Sequence, residues 1–529
     1  MFDQRARILP PYTRRVNDTR HLISKVAVVT LLILFAMTMG FFIAIFGLRG
    51  WFIPTVPIIL MFGAALWMAP DIDGHYDKAI ERGFFIFMAI SLIWPGYLAF
   101  NFSGLPWITF ERFAMFILAA ISIFHFSTSR RFRSEVKETL TSNIWLFRLF
   151  FGWVTISILM SGFSLFSNIS RDINIQIMWH LPLVLSAWVM RFDGNPQRLL
   201  KIVIIYILIT SAVVIPESQQ EMVIWAPYIP QWFVAEEQFW GMILEGSRRF
   251  DEYRAKSIYL VAVAYAEFIG MSVPFILFAI FHAKSFWRGA LAFALFALLF
   301  TAAYFTNSRT AMAVFVATIP AFVFLWAVRR YRLQKSQQDL ISTAILWAYP
   351  AMAMAVAFAV ISISRIRVRV LGGSGTQNSD NARAEQWDMA IPQILQNPIG
   401  YGSGTVSQRV PYTNLAGDFT IDSYPINLLI QYGVVGFLLF AGFFILAVIV
   451  GARCYVMAKN RDELVAGAAA LSIFSFLISR TILSMEAGIP WAFVSAGVIM
   501  GIHWRQTQHA ESSRSPVRTT TPGLQRTFS

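Results

Sequence analysis

Arginine is the residue type that could do chemistry in this sequence, and it gathers in two polar stretches. The longer, residues 363–423, opens with Ser364-Arg365-Ile366-Arg367-Val368-Arg369-Val370. It continues through Asn381-Ala382-Arg383-Ala384-Glu385-Gln386-Trp387 and Gln396-Asn397-Pro398-Ile399-Gly400-Tyr401-Gly402-Ser403-Gly404, then carries Arg409 and ends on Asp418 and Asp422. Alternation of arginine with β-branched residues over 364–370 predicts an extended segment with three guanidiniums on one side. As a helix, Arg365 and Arg369 would still share a face. Guanidinium forks match phosphate oxygens two by two, so the functional reading is a cradle for a multiply charged anion. The plainer reading is a solvated surface with a glycine turn. The second stretch, residues 216–257, holds Arg248-Arg249-Phe250 and the aromatics Trp225, Tyr228, Trp232 and Trp240, which could stack on sugar faces or sit in an interfacial belt.

Three further charges fall inside or at the ends of apolar runs. Arg309 closes the tight Thr306-Asn307-Ser308-Arg309 connection, Arg480 lies near the end of its run, and Glu267 sits well inside another. A charge at such a position is a functional hypothesis by default, with snorkelling or a helix–helix hydrogen bond as the alternative. Other chemistry is missing. No HExxH or histidine cluster suggests zinc, His125 and His180 stand alone, and Gly372-Gly373-Ser374-Gly375 lacks the Lys-Ser/Thr of a phosphate loop. Asp71-Ile72-Asp73 has the form of a metal–diphosphate pair but falls in a short turn among other charges. The expectation is a site with no metal and no cofactor.

The elements that must position these residues are membrane helices. Of the 529 residues, 57% are apolar and only 14% charged, far below the roughly 25% usual in soluble domains. The apolar residues come in runs of roughly 17–27, the length a bilayer core asks of a helix. That excludes a soluble enzyme, a disordered chain and an outer-membrane barrel, whose strands alternate over about ten residues. One cysteine, Cys454, permits neither an internal disulfide nor a cysteine metal cluster. The fold class expected is an all-α polytopic membrane protein of about fourteen helices, with twelve the lower bound. Spans fall near 26–48, 51–69, 83–102, 113–128, 144–167, 175–190, 199–215, 258–282, 289–306, 310–328, 342–362, 424–450, 465–483 and 487–503.

The net charge of +14 would suggest nucleic acid or an anionic surface if it lay on one soluble face. It does not: with the N-terminus in the cytoplasm, clusters such as Arg130-Arg131-Phe132-Arg133 and Arg329-Arg330-Tyr331-Arg332 all fall inside, as topology signals do. No nucleic-acid partner is expected. The organisation expected is a basic cytoplasmic segment 1–25 ahead of an uncleaved first helix, a membrane domain 26–503, and a disordered cytoplasmic tail 505–529. Both long polar stretches, 216–257 and 363–423, then face outward, and long loops in a tightly looped protein are usually functional.

Taken in order, Ser308-Arg309 after a span, Arg383 with Trp387, Asn397-Pro398-Ile399-Gly400-Tyr401-Gly402, and Asp422 eleven residues before Gly433-Val434-Val435-Gly436 resemble the O-antigen ligase/polymerase superfamily of bacterial envelopes. The resemblance covers about residues 300–440, with Arg248-Arg249-Phe250 as an extension. It implies a C-type membrane glycosyltransferase in the bacterial inner membrane, multi-pass, both termini cytoplasmic, with a periplasmic active site. Its partners would be undecaprenyl-diphosphate-linked glycan, inner-membrane lipids, a chain-length regulator and a flippase. The implied catalytic residues are Asp422, Arg309 and Arg383. Diphosphate binding falls to Arg365, Arg367, Arg369, Arg248, Arg249 and Arg480, with Glu267, Asp418, Trp387 and Arg409 as a second tier. Ligases of the family carry His-Asn where this chain has Asp422-Ser423, which favours the polymerase-like branches. A polymerase is therefore the expected function and a ligase the alternative. A flippase or transporter, the reading from another class, would show repeated halves, and none are visible.

Overall fold

Backbone polar groups in hydrocarbon must be satisfied within their own segment, which leaves the helix as the spanning geometry for runs this long. The computed structural model describes residues 77–100, 107–163, 172, 174–234, 237–245, 248–249, 252–333, 339–362, 377–413, 419–484 and 486–514. In order these form α1 (Asp77–Ile93), β1 (Ala99–Phe100), β2 (Ile108–Thr109), α2 (Phe110–Thr128), α3 (Arg130–Thr141) and α4 (Ile144–Phe163). A π-helical turn at Gln176–His180 leads into α5 (Leu181–Val189) and then α6 (Asn195–Gln220) and α7 (Glu237–Glu245). There follow β3 (Arg248–Arg249), β4 (Glu252–Tyr253), α8 (Ala262–Phe281), α9 (Phe286–Phe305), α10 (Arg309–Leu333) and α11 (Leu340–Ser362). The chain ends with α12 (Gln377–Gln396), α13 (Val406–Arg409), α14 (Tyr424–Met457), α15 (Arg461–Arg480) and α16 (Ile489–Arg514).

Among the described residues eight helices are long and apolar enough to cross a membrane: α2, α4, α6, α8, α9, α10, α14 and α15. The spans expected near 26–48 and 51–69 lie outside the described residues. Three expectations change. The span near 83–102 stops at Ile93, because Pro95 and Gly96 end it and the chain turns into the β1–β2 pairing. The long stretch 363–423 contains a full helix, α12, whose pattern is hidden by Pro392 and by its polar face. The last helix runs to Arg514, past residue 505 where a disordered tail was expected to begin.

The chain divides into two compact units, residues 1–78 with 120–134 and residues 79–119 with 135–529. In the first, the described residues are a corner at Ser129, where the ring of Phe132 meets those of His125 and Phe126 edge-on and Arg133 donates to the carbonyls of Phe126 and Ser127 at 2.8 and 2.9 Å.

In the second unit, α8 and α15 are the most enclosed spans, whereas α4 and α9 turn apolar side chains such as Phe151 and Phe293 outward, as a lipid-facing helix does. Small residues let helices close: Ala466, Ala468, Ala469 and Ala470 of α15 are buried, Ala470 beside Gly451 of α14, and α16 approaches α5 so nearly that Ser186 Oγ donates to the Val494 carbonyl at 3.1 Å.

Hydrogen bonds tie the helices at two opposite ends. At one, Gly194 N donates to Asp462 at 2.7 Å, Arg329 to the Ala458 carbonyl at 2.9 Å and Arg461 to the His282 carbonyl, while Arg505 bridges Asp193 and Asp462. There α15 starts on a capping box, with Asn460 accepting from Glu463 N at 2.9 Å and Glu463 accepting from Lys459 N at 2.9 Å. At the other end, Arg254 donates to the Thr306 carbonyl at 3.2 Å, Asn307 to Glu252 at 2.9 Å, and Ser484 to the Ile421 carbonyl. Both long polar stretches therefore meet at the end where α10 begins.

The first end also carries Lys284, Arg288, Arg330, Arg332 and Lys459, and it is the end that the positive-inside expectation would put in the cytoplasm. In a Cys454→Ser background, Tyr228→Cys and Glu385→Cys should react with an impermeant maleimide in intact spheroplasts, and Arg288→Cys only after lysis. Labelling in the opposite order would invert the orientation.

Candidate functional site

Two glycines far apart in sequence set the site's geometry. Helix α14 is broken at Gly433, whose φ of 69° and ψ of −176° lie outside the helical region. The break frees carbonyls that would otherwise accept helical bonds, and the Asn397–Gly402 turn supplies donors for them. Tyr401 N donates to the Ile430 carbonyl at 2.8 Å and Gly402 N to the Gln431 carbonyl at 3.1 Å. In return Val434 N donates to the Pro398 carbonyl at 2.9 Å. The backbones are so close that a Cβ on Gly400 (φ 101°) would lie 2.6 Å from Gly433 N, and one on Gly433 2.3 Å from the Ile399 carbonyl. The turn is pinned on its far side as well: Gly404 N donates to Gln431 Oε1 at 2.7 Å, Ser403 N to the Met160 carbonyl at 3.2 Å, and Ser403 Oγ to Asp172 at 2.6 Å.

This splice fixes the outer half of α14, Tyr424–Tyr432, and with it Asp422. Helix α12 packs across it through Trp387, Ala390 and Ile394, which share one face and meet Val406, Val410, Ile421, Ile426 and Ile430. Asp422 N donates to Gln386 Oε1 at 2.9 Å, and Gln386 is one turn beyond Arg383 on α12. The Asp422 carboxylate is half-buried and receives only a long 3.5 Å approach from Thr420 Oγ1 among the described residues. An Asp beside a helix start often serves as its cap. Here the cap position belongs to Ser423 and no side chain bonds to it, so Asp422 is not spent on capping.

Behind Tyr424 lies a buried ion pair. Arg480, at the end of α15, binds Glu267 of α8, and Ser479 Oγ donates to the same carboxylate at 3.1 Å. The Arg480 guanidinium also sits over the rings of Phe476 and Tyr424, at 4.7 and 5.1 Å. With Arg480 and Glu267 both almost fully buried, this arginine is committed to the interior and does not face an external anion.

The other sequence-derived arginines divide clearly. Arg309 starts α10 with its side chain exposed and with no carboxylate partner among the described residues. Thr318 of α10 and Ser475 of α15 share a hydrogen bond of 2.8 Å. Counting antiparallel rises of about 1.5 Å per residue from there puts Arg309 roughly 6 Å further out than Arg480. Arg383 is half-buried on α12. Arg409 is exposed and lies over the Tyr401 ring at 4.2 Å. Arg248 is exposed and paired with Glu221, and Arg249 follows it in β3. Arg365, Arg367, Arg369 and Asp418, as well as Asp71 and Asp73, lie outside the described residues. Trp387 belongs to the packing of α12 described above.

The segment around β4 docks on the Arg309 connection through Arg254 and Glu252 and on the end of α6 through Glu217, a buried carboxylate the sequence did not single out. It accepts from Tyr253 Oη at 3.0 Å, Lys256 N at 2.9 Å and Ser257 N at 2.8 Å. Burial pulls the Lys256 ammonium below the usual lysine value, opposed by the Glu217 carboxylate, and pushes the Tyr253 phenol up. Gln386 and Ser484 were also missed, since neither carries chemistry of its own; their signal is positional. No group of three metal-ligating side chains occurs among the described residues.

A cavity of ≈ 920 Å³ lies beside this cluster, bounded by α1, the start of α2, α6, α8, the outer half of α14 and the start of α16. Phe419 and Ser484 belong to its wall, while Arg309, Arg383, Arg409 and Asp422 do not.

Part of the chain matches a known family. Residues 294–441, from α9 to just past the break in α14, match the family model described as O-antigen ligase. That match is to about a quarter of the chain and supports the likeness to the O-antigen ligase/polymerase superfamily that the sequence motifs carry. No curated protein matches the chain.

Two stability predictions follow from this geometry. Gly433→Ala and Gly400→Ala should each cost on the order of 1–3 kcal/mol, since both force a side chain into a left-handed backbone against another main chain; detergent-solubilised melting temperature reads this. Removing one partner of the buried pair, as in Arg480→Met, should cost about 3–5 kcal/mol, and Glu267→Leu added to it should restore much of the loss. A double variant no more stable than the single one would mean that the pair does not act as a unit.

Proposed function

We propose that the protein joins undecaprenyl-diphosphate-linked oligosaccharide repeats into an exopolysaccharide, capsule or O-antigen chain at the periplasmic face of the bacterial inner membrane. The observation that carries this reading is the unspent Asp422 carboxylate at the outer end of a broken helix, where Gln386, one helical turn from Arg383, accepts from the Asp422 main chain. Asp422 takes the proton from the attacking hydroxyl of the acceptor sugar. The anomeric carbon of the donor is attacked, and the bond to the lipid diphosphate breaks. Charge grows on that diphosphate, and fixed guanidiniums aimed at it stabilise the transition state more than the ground state. Arg309 and Arg383 supply them, joined by Arg365, Arg367 and Arg369, with Arg409 at the edge. The leaving group needs no nucleotide, and cations of the chain take the role a metal would have.

A carboxylate near its ordinary pKa of about 4 is a weak base, yet proton transfer late in the reaction asks little basicity of it. Asp422→Asn preserves size and the Gln386 contact, which is made by the main chain, and should lower the polymerisation rate by about 10²–10⁴-fold. Arg383→Lys and Arg309→Lys keep charge and lose the fork, and should each cost roughly 10- to 100-fold. The assay is chain growth from lipid-linked repeats by purified protein, with and without chelator; chelator should leave the rate unchanged. Asp422→Asn at parental rate would move the base to Asp418 or Glu267, and activity lost in chelator and restored by magnesium would bring Asp71 and Asp73 back.

The description of the matched family favours a second reading, a ligase moving finished glycan to a lipid or protein acceptor. Against it stands Asp422-Ser423 at the position where the ligases it resembles carry His-Asn.

A further inference from the structure

The ≈ 920 Å³ chamber and the arginine cluster are chemically different sites. Asn427 and Gln431 of the outer half of α14, Ser407, Glu486, Glu111 and Arg112 give its wall hydrogen-bonding groups. Between them stand the flat faces of Trp94, Trp179, Tyr259 and Trp491. The chamber reaches from the outer connections toward the middle of the helices, since its wall includes Tyr206 of α6 and Met271 of α8 as well as Ser484. Tyr206 and Tyr259 share a hydrogen bond of 2.8 Å between their hydroxyls, which orders that wall.

The balance of charge and polarity selects the occupant. Two carboxylates face one guanidinium, and that guanidinium is already held by the Trp107 carbonyl at 3.0 Å and lies 5.3 Å from the Trp107 ring centre. A diphosphate would be repelled here, and Arg309, Arg383 and Arg409 of the neighbouring site do not line the chamber. An isoprenoid chain would set hydrocarbon against the Asn427 amide and the Glu111 and Glu486 carboxylates, a poor exchange for groups of that polarity. A neutral saccharide answers both faces, with C–H surfaces for the rings and hydroxyls for the polar groups. Asn427 is half-buried and its amide makes no hydrogen bond among the described residues. Glu111 already accepts from Ser91 at 2.9 Å and keeps further acceptor capacity. The chamber wall is also tied to the site: Ser484 lines it and donates to the carbonyl of Ile421, the residue before Asp422.

We propose that this chamber is the acceptor-glycan subsite, a neutral oligosaccharide being held by Asn427, Gln431, Glu486 and Glu111 between aromatic rings so that its terminal hydroxyl emerges at Asp422. The assignment deepens the polymerase reading and rests on it for the word acceptor, while glycan binding itself does not.

The probe is a fluorescently labelled oligosaccharide repeat without lipid or diphosphate, cut from the producing strain's own polysaccharide. Its binding to full-length protein in nanodiscs is followed by anisotropy. Saturable binding is expected. Asn427→Leu and Glu486→Gln should weaken it about 10-fold each, the effect of a lost buried hydrogen bond. Asn427→Asp keeps an acceptor oxygen and should stay within a few-fold, and Arg383→Lys should leave binding unchanged. Gel-filtration profile and melting temperature certify that each variant is folded. No saturable binding, binding unaltered in folded Asn427→Leu and Glu486→Gln, or displacement of the probe by undecaprenyl phosphate would each overturn the assignment. The two readings fail separately: Asp422→Asn polymerising at full rate removes the proposed base and leaves the binding result standing.

Discussion

A main-chain contact between the Asn397–Gly402 turn and the break in α14 holds the rest of the site in place. At Gly433 the helix gives up part of its own hydrogen-bond ladder, and the turn replaces what is lost by donating from Tyr401 and Gly402 and accepting from Val434. Inside a membrane protein such an interruption is tolerated only where the freed groups find partners. The backbones meet without room for a side chain on either glycine, so the turn cannot slide and the outer half of α14 cannot rotate. Asp422, the Gln386 contact and the Tyr424 ring inherit their positions from that lock.

The surrounding electrostatics follow a division of labour. Arginines buried below the outer surface are neutralised: Arg480 by Glu267. Near the surface the partners vary: Arg248 takes the Glu221 carboxylate, Arg409 an aromatic face, and Arg309 no carboxylate among the described residues. Charge fixed at the interior stiffens the frame on which Tyr424 and α8 rest, and charge left at the rim is what the proposed function assigns to the diphosphate. The chamber beside them reverses the sign, with Glu111 and Glu486 against Arg112. Opposite local charge is what would keep a diphosphate and a neutral sugar in separate places under the proposed reaction.

Much of this was legible in the sequence because run length alone reveals spans: α4, α6, α8, α9, α10, α14 and α15 all fall where apolar runs place them. The family resemblance was carried by Arg309, Arg383, Gly400, Gly402, Asp422 and Gly433, and the matched segment 294–441 coincides with it. What those glycines do was not readable, because they act on each other across a stretch of polar chain. Glu267 and Arg480 each stood out as charges within apolar runs, yet their pairing joins positions 213 apart, which no local pattern encodes. Helix α12 was hidden because its apolar stripe is narrow and Pro392 interrupts it. The chamber draws its wall from at least five distant segments, so it exists only in three dimensions.

The most direct test of the account is reconstitution of the purified protein with one substrate, an undecaprenyl-diphosphate-linked repeat, serving as both donor and acceptor, without nucleotide or metal. Chain length on a gel is the readout. A ladder of products that lengthens with time is the predicted result. Product appearing only after a separate lipid or protein acceptor is added, with single transfers and no ladder, would contradict the polymerase account and make the protein a ligase.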